Sequence, residues 1–185
     1  MKPAFKEEKT TQAAALLLKL RKDKMSYMKL IKLLYLADRE ALLEWGRPIT
    51  FDSYVSMKAG PVLSRTLNLI NEGAEPGKDS FWNKHISPPQ NYDVELKDDP
   101  GIDELSEAEI ALLERIFAQY GKMGRWDLIN NVMHKLPEWR NPGGSSLPIE
   151  YLDIFHAARK TDIEADLVKE DIEALALLEM ALGQS

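Results

Sequence analysis

Apolar and polar positions follow the period of an α-helix over most of the 185 residues of the chain. A first helix is predicted at 11–22, with Thr10 or Thr11 as its cap. A longer second helix is predicted to begin after Ser26 and to end at Gly46. Because apolar side chains occupy almost every face of this second helix, we expect it to be buried nearly all round and to form the centre of the core.

The helical period continues through later segments, and two of these segments begin with a typical helix start. In each start a Ser or Thr is followed three residues later by Glu, which predicts a capping box: Ser106 with Glu109, and Thr161 with Glu164. The further predicted helices cover residues 62–70, 109–120, 126–136, 151–160 and 162–182. The chain is therefore predicted to be mainly α-helical.

One pair of segments carries the alternation of β-strands. Residues 81–87 and 91–97 alternate apolar with polar side chains, and Pro-Pro-Gln separates them, so we predict a small antiparallel β-hairpin. Turn-forming residues predict loops at 71–79 and 98–105. The predicted fold is a compact, mainly α domain around one long buried helix, with this small antiparallel β-hairpin.

A Gly60-Pro61 pair interrupts the helical pattern within the segment YVSMKAGPVLSR. Residues 48–59 are predicted to be a short helical or irregular stretch. Pro61 is predicted to begin the next helix, because proline suits the first helical turn. Gly60 allows a backbone turn that a side chain would obstruct. The pair is therefore interpreted as a packing joint beside the long helix.

Composition limits the classes of protein to which the chain can belong. Apolar residues make up 44% of the chain, which is enough for a packed core. The absence of cysteine excludes disulfides and cysteine metal sites. The N-terminal apolar run before Lys19 is too short to span a bilayer, and it lacks a signal-peptide cleavage pattern. We therefore expect a soluble cytoplasmic protein without a membrane partner.

Charge is distributed unevenly along the sequence. Residues 1–39 contain ten Lys or Arg and four Asp or Glu, whereas the whole chain has a net charge of −6. This asymmetry favours a charged partner, either a protein or a nucleic acid, and it also fits a solvated basic helix face. A nucleic-acid-binding regulator that uses the basic N-terminal region is therefore kept as an alternative function.

Sequence motifs for catalysis and for cofactor binding are missing. The segment 73–80 is close to a phosphate-binding loop, but Gly73 is one residue too near Lys78, and Asp79 occupies the hydroxyl position. No Gly-x-Ser-x-Gly turn occurs, and the three histidines form no closely spaced helical pair. We therefore expect no catalytic residue, no metal site and no cofactor, in a protein that is not an enzyme.

Asp38 falls among the apolar positions of the long helix, where a buried carboxylate must be paired or hydrogen-bonded. Its predicted partners are backbone N–H groups at the start of a neighbouring helix, or an arginine such as Arg47 or Arg65. The functional alternative is a general base, but no nucleophile or metal site accompanies it. We therefore predict a structural role for this carboxylate.

Four short motifs, taken together, carry a family resemblance: Lys-Leu-Ile-Lys-Leu-Leu-Tyr at 29–35, Gly-Arg-Pro-Ile at 46–49, Gly-Pro-Val at 60–62, and a histidine with a following tryptophan at 127–139. In this spacing the chain resembles the Panacea domain, the SocA-like antitoxin family. The resemblance runs from about residue 12 to residue 157. Residues 1–185 are predicted to form one domain, with 158–185 as a C-terminal helical extension. The resemblance implies structural roles for the matching residues Lys29, Lys32, Leu33, Tyr35, Asp38, Gly60, Pro61, His134 and Trp139.

The resemblance also implies the function of an antitoxin in a toxin–antitoxin system, and some family members accompany prophages. Members neutralise a toxin encoded beside them, usually by direct protein–protein binding, whereas SocA-like members act as adaptors that deliver the toxin to the ClpXP protease. The expected partners are therefore a cognate toxin and, in the adaptor mode, ClpXP. The predicted contact residues flank the Gly-Pro joint, with Tyr54 and Met57 alternatively in the core: Tyr54, Met57, Lys58 and Arg65.

Overall fold

The computed structural model describes residues 1–72 and 79–183. Its helices are α1 (Glu7–Leu20), α2 (Tyr27–Trp45), α3 (Ser64–Glu72), α4 (Phe81–His85), α5 (Glu107–Tyr120), α6 (Arg125–Asn131), α7 (Tyr151–Ala157) and α8 (Asp162–Leu182), with a turn of 3-10 helix at Met133–Lys135. Its strands are β1 (Lys24–Ser26), β2 (Tyr54–Met57), β3 (Gly60–Leu63), β4 (Asp93–Glu95) and β5 (Leu147–Ile149). The fold is mainly α with small antiparallel sheets, which confirms the predicted class.

Helix α2 lies at the centre of the core. Most of its 19 residues are buried, Leu33 completely, and it packs against α1, α5, α7 and strand β3. The helix ends where Gly46 adopts a left-handed conformation (φ 72°) and donates its N–H to the carbonyl oxygen of Leu42. The burial of this helix and its glycine stop are both as the sequence predicts.

Both predicted capping boxes are present. At the start of α5 the hydroxyl of Ser106 accepts the N–H of Glu109 at 3.2 Å, and the carboxylate of Glu109 accepts the N–H of Ser106 at 2.8 Å. Thr161 and Glu164 make the same two bonds at the start of α8. The predicted helix at 126–136 divides into α6 and the 3-10 turn, so its C-terminal half differs from the prediction.

The strands form two small antiparallel sheets. In one sheet β1 pairs with β4, and Met25 lies opposite Val94. The other sheet has the strand order β3-β2-β5, in which Tyr54 lies opposite Leu63 on one side and Ile149 on the other. Strand β5 comes from a distant part of the chain, so this sheet joins the first half of the sequence to the second.

The β-hairpin predicted at 81–97 is present only in the half next to its turn. Ile86 pairs with Leu96 in antiparallel register, and the N–H of Ser87 donates to the carbonyl oxygen of Glu95 at 2.9 Å. Phe81–His85 forms the short helix α4 in place of the predicted strand, and β4 also pairs with β1. The start of α4 is satisfied by two side chains: Ser80 caps it, and the carboxylate of Glu7 accepts the N–H of Trp82 at 3.1 Å. The side chain of Trp82 is thereby buried against α1, which the local alternation of residues cannot reveal.

The Gly60-Pro61 pair lies in a hairpin, and not at the start of a helix. Residues 54–57, predicted as helical or irregular, form β2, while Pro61 lies in β3 and helix α3 begins at Ser64. Proline is tolerated in β3 because this strand is at an edge of its sheet. Gly60 has a φ of +97°, and a Cβ atom there would lie 2.8 Å from the Cβ of Met133. This position therefore requires glycine.

Two further predictions concern the loop after α3 and the membrane. The loop predicted at 71–79, and with it the phosphate-loop-like segment at 73–80, lies mostly outside the described residues. Within the described ranges, no helix combines the length and the apolar content that crossing a bilayer requires.

Candidate functional site

The tip of the β2–β3 hairpin, residues 57–60, is held by side chains from two other parts of the chain. Lys32 of α2 donates from Nζ to the carbonyl oxygens of Gly60 at 3.0 Å and of Pro61 at 2.8 Å. From the second part, Trp139 donates from Nε1 to the carbonyl oxygen of Met57 at 2.9 Å. These bonds are made to the main chain, so they fix the path of the hairpin tip through its backbone.

The segment 134–140, which we call the strap, supplies the remaining contacts to the hairpin. The Nε2 atom of His134 lies 3.0 Å from the carbonyl oxygen of Lys58. Because a carbonyl can only accept a hydrogen bond, we assign the proton to Nε2. The imidazole stacks on the indole of Trp139, with ring centroids 4.1 Å apart and 18° between the planes. The backbone N–H of Arg140 donates to the hydroxyl of Ser56 at 3.1 Å.

Lys32 is an unusual residue in this arrangement because it is a buried cation bound to two neutral groups. Its side chain is 1% exposed. Burial lowers the pKa of Lys32 from 10.5 to about 7, because the charged form loses its hydration. An uncharged amine still carries N–H donors, so it can hold a carbonyl of the hairpin tip in either protonation state.

Glu138 fastens the strap to α2. Its buried carboxylate accepts hydrogen bonds from the hydroxyl of Tyr35 at 3.0 Å and from Nε and Nη2 of Arg39 at 2.6 and 3.3 Å. A guanidinium that binds both carboxylate oxygens fixes orientation as well as distance. The sequence singled out Tyr35 but not Arg39 or Glu138. These two residues are 99 positions apart, so no local pattern connects them.

Asp38 is fully buried, as predicted, and four donors surround its carboxylate. Oδ1 accepts the N–H groups of Ile49 at 2.9 Å and Thr50 at 3.0 Å. Oδ2 accepts the hydroxyl of Tyr54 at 3.1 Å and that of Thr50. Burial raises the pKa of Asp38 from 3.8 to about 7, while the bonds from Thr50 and Tyr54 lower it. The predicted arginine is not among these partners, and the N–H groups belong to the loop after α2.

Asp52, and not Asp38, binds backbone N–H groups at the start of a neighbouring helix. Asp52 was not identified from the sequence. Its fully buried carboxylate accepts the N–H groups of Arg65 and Thr66, each at 2.9 Å, and the hydroxyl of Thr66 at 2.8 Å. These N–H groups belong to the first turn of α3, where a negative charge is favourable. The hairpin separates Asp52 from this helix in the sequence, so the pattern around Asp52 gives no sign of the contact.

Lys29, near the start of α2, also has a structural contact. Its Nζ atom donates to the carbonyl oxygen of Gly121, which follows the last residue of α5. Burial, followed by the charge of Arg21, lowers the pKa of Lys29. Lys29, Lys32 and Asp38, the charged residues of the family resemblance, therefore all make hydrogen bonds inside the fold.

Tyr54 is not available to a partner, so its prediction as a contact residue is wrong. Its side chain is 2% exposed, and its ring lies 5.3 Å from the ring of Tyr35 and 5.3 Å from that of Tyr151. The hydroxyl is used by Asp38. Tyr54 belongs to the core, which was the alternative prediction for this residue.

The other predicted contact residues are divided between the two ends of the hairpin. Met57 is half-buried and Lys58 is exposed, and both belong to the hairpin tip. Arg65 is exposed as well, but it follows Leu63, which pairs with Tyr54 at the far end of the hairpin. Lys58 and Arg65 therefore do not belong to one small patch.

The side chains of this site hold the backbone of the hairpin tip in place. In the part of the chain that the structure describes, no three His, Cys, Asp or Glu side chains are grouped closely enough to hold a metal ion. The polar side chains around the hairpin bind main-chain groups or one another. Their combined effect is to hold the hairpin tip in one position, with Lys58 pointing outward.

A comparison with protein families gives a match to residues 30–140, under the description "Antitoxin SocA-like, Panacea domain". The chain belongs to this family. The matched range begins in α2 and ends at Arg140, so it contains most of the central helix, the hairpin and the whole strap of this Panacea domain. Searches of curated proteins and of solved structures returned no match.

Proposed function

We propose that this Panacea domain is an antitoxin that neutralises a cognate toxin by direct binding, and that the hairpin tip is part of the contact surface. Family membership supports the antitoxin role. The observation that carries the proposal is the fixation of the hairpin tip by Lys32, His134 and Trp139. These residues all lie within the matched range, and they serve the tip of one exposed hairpin.

A fixed tip favours tight binding. A surface that is already ordered loses little conformational entropy when a partner docks on it. Lys58 offers an exposed cation for an acidic patch of the toxin, and half-buried Met57 offers adaptable apolar contact. Beside them, the half-buried ring of Trp139 offers the type of side chain that dominates binding energy in many interfaces.

The experiment compares two charge reversals on the same hairpin. The chain is expressed together with the product of the neighbouring reading frame, and growth rescue and co-purification are measured. We expect Lys58→Glu to abolish rescue. Arg65→Glu is the matched control, because it reverses the same charge at an exposed position at the other end of the hairpin. We expect both variants to remain within about 0.5 kcal/mol of wild-type stability, as is usual for surface substitutions.

Rescue by Lys58→Glu at the wild-type level would contradict a contact at the hairpin tip. Loss of rescue with Arg65→Glu alone would move the contact to the start of α3. A neighbouring product that does not inhibit growth when expressed alone would contradict that pairing of toxin and antitoxin.

The adaptor mode is separated from direct covering by removing the protease. We expect rescue to be the same in cells with and without ClpX, because a toxin that is covered needs no degradation. Rescue that disappears without ClpX, together with a longer lifetime of the toxin, would indicate delivery to ClpXP instead.

A further inference from the structure

Cations surround a cavity at the N-terminal end of α2. The cavity has a volume of about 560 Å³, and the cations that line it are Arg21, Lys22, Lys24, Lys29, Lys122 and Arg125. Asp93 lines it as well, and Lys24 is paired with Glu95 at 2.8 Å. Lys29 is buried and bonded to the carbonyl oxygen of Gly121, so the excess positive charge of the cavity comes mainly from Arg21, Lys22, Lys122 and Arg125. Such a concentration of one sign of charge in a concave site attracts anions.

The cavity also contains a polar group without a partner. Ser26 occupies the N-cap position of the 19-residue helix α2, but its hydroxyl makes no capping bond. Its buried Oγ atom has no hydrogen-bond partner among the described residues, and Ser26 lines the cavity. The start of a helix carries partial positive charge and binds phosphate groups readily. A phosphate oxygen would satisfy this hydroxyl and reduce the repulsion between the neighbouring cations.

Two exposed aromatic side chains lie beside Arg125, one of the cations that line the cavity. Tyr92 is 61% exposed and Trp126 is 56% exposed, the highest values for aromatic residues in the described ranges. The guanidinium carbon of Arg125 lies 5.3 Å from the ring centroid of Tyr92 and 5.4 Å from that of Trp126. Exposed rings next to a positively charged groove are the means by which proteins stack unpaired bases while binding the backbone that carries them.

We infer that this basic–aromatic surface, formed by the cavity cations with Tyr92 and Trp126, binds single-stranded nucleic acid. A phosphate group occupies the cavity at Ser26, and adjacent bases stack on the two rings. The paired and stacked bases of a double helix do not present free faces to the rings. The surface shares no residue with the hairpin tip or the strap, so the inference is independent of toxin binding.

The cations come from two separate parts of the sequence. Four of them belong to the basic region at 1–39, whereas Lys122 lies between α5 and α6 and Arg125 is the first residue of α6. The charge asymmetry of the sequence accounts for the first group alone. Folding brings the second group to the same cavity, and Arg125 of this group contacts the two exposed rings.

Binding is measured by fluorescence anisotropy on the purified full-length chain, without a toxin, using short labelled oligo(dT). We expect binding that weakens steeply with salt, because phosphate contacts release counterions. A labelled duplex of equal length is expected to bind at least about tenfold more weakly, because stacking on the rings is lost. Thymidine monophosphate is expected to compete better than inorganic phosphate, because it carries a base as well.

Two variants test the two halves of the surface. Lys122→Glu combined with Arg125→Glu should weaken oligo(dT) binding by about tenfold or more and reduce the salt dependence. Trp126→Ala should weaken it by about fivefold or more, the usual effect of losing one stacked base. Lys84→Glu combined with Lys169→Glu is the matched control, since it reverses two exposed cations elsewhere. The control should change the affinity by less than about twofold, because surface charges away from the site contribute little.

Three results would overturn the inference. Equal affinity for duplex and single strand, with no effect of Trp126→Ala, would exclude base stacking. Competition by inorganic phosphate as strong as by the nucleotide would indicate a plain anion site. Polyglutamate that binds as tightly as oligo(dT), again without an effect of Trp126→Ala, would indicate an acidic protein as the partner of this surface.

Discussion

The imidazole of His134 lies parallel to the indole of Trp139, and each ring bonds a different carbonyl oxygen of the hairpin tip. The stack places the two N–H donors side by side, opposite the successive carbonyls of Met57 and Lys58. The two rings therefore form one unit, in which each ring positions the donor of the other.

Trp139→Phe tests the donor of this unit. Phenylalanine keeps an aromatic face for His134 but has no N–H group, so the carbonyl oxygen of Met57 loses its partner. We expect a loss of about 1–2 kcal/mol in the free energy of unfolding, measured by urea titration. The matched control is Trp126→Phe, which changes an exposed tryptophan and should stay within about 0.5 kcal/mol of wild type. Equal losses in the two variants would contradict the role assigned to the indole N–H.

Gly60→Ala tests the close approach at the hairpin. The new methyl group would lie 2.8 Å from Met133 at a φ of +97°, which residues with a side chain avoid. We expect a loss of about 2 kcal/mol or more, seen as a lower melting temperature. Gly144→Ala serves as the control, because its methyl group meets nothing within 4 Å. If the two variants melt at the same temperature, Gly60 is not constrained in this way.

Asp38→Asn tests the buried carboxylate. The amide keeps one oxygen for the N–H groups of Ile49 and Thr50, but it turns an NH₂ group toward the hydroxyls of Thr50 and Tyr54. We expect a cost of about 1–3 kcal/mol at pH 5, because the amide cannot match the four surrounding donors as the carboxyl group does, and a smaller cost at pH 8, where ionisation of the buried Asp38 already lowers the stability of the wild type. Asp166→Asn, on the exposed side of α8, should have almost no effect. A cost no larger than that of Asp166→Asn would contradict the structural role of Asp38.

The pH dependence of stability is expected to show two opposite slopes that meet near pH 7. The pKa of Asp38 is raised from 3.8 to about 7, so the folded protein binds more protons than the unfolded chain between these values, and stability falls as the pH rises. The pKa of Lys32 is lowered from 10.5 to about 7, so here the unfolded chain binds more protons, and stability rises with pH above 7. Each slope has an upper limit of about 1.4 kcal/mol per pH unit.

The measurement compares unfolding of the wild type and two variants by urea from pH 4 to pH 9. Asp38→Asn should remove the falling component below pH 7, and Lys32→Met should remove the rising component above it. Each variant is the control for the other, since each should leave the opposite slope in place. A variant that lowers stability by the same amount at every pH would show that its group does not titrate as described.

Features that depend on neighbouring residues in the sequence could be predicted, whereas features that depend on distant pairing could not. The end of α2 at Gly46 and the box of Ser106 with Glu109 are local, and the structure contains both. The alternation at 81–87 is also a local signal, but the cap from Ser80 and the bond from Glu7 make residues 81–85 helical, and the hairpin pairing begins at Ile86. The local pattern therefore gave the right class of fold and the right place for the hairpin turn, but it made the first strand too long.

The residues of the candidate site show the same difference between local and distant signals. Asp38 was found because a carboxylate among leucines is visible in the sequence, and its burial is as expected. Asp52 and Glu138 were missed because their partners are supplied by other elements of the fold. Tyr54 was misplaced because a buried strand and an exposed helix can show the same spacing of apolar residues over so few positions.

The bonds that hold the hairpin tip end on backbone carbonyl oxygens, which every amino acid possesses. The exposed side chain of Lys58 is consequently free of any part in this support, in contrast to Gly60, whose lack of a side chain is required. Under the proposed function, recognition and architecture are thus encoded by different residues of one short turn. Evolution can exchange Lys58 for a new target at little risk to folding, and a set of variants randomised at this position is a direct way to select altered specificity.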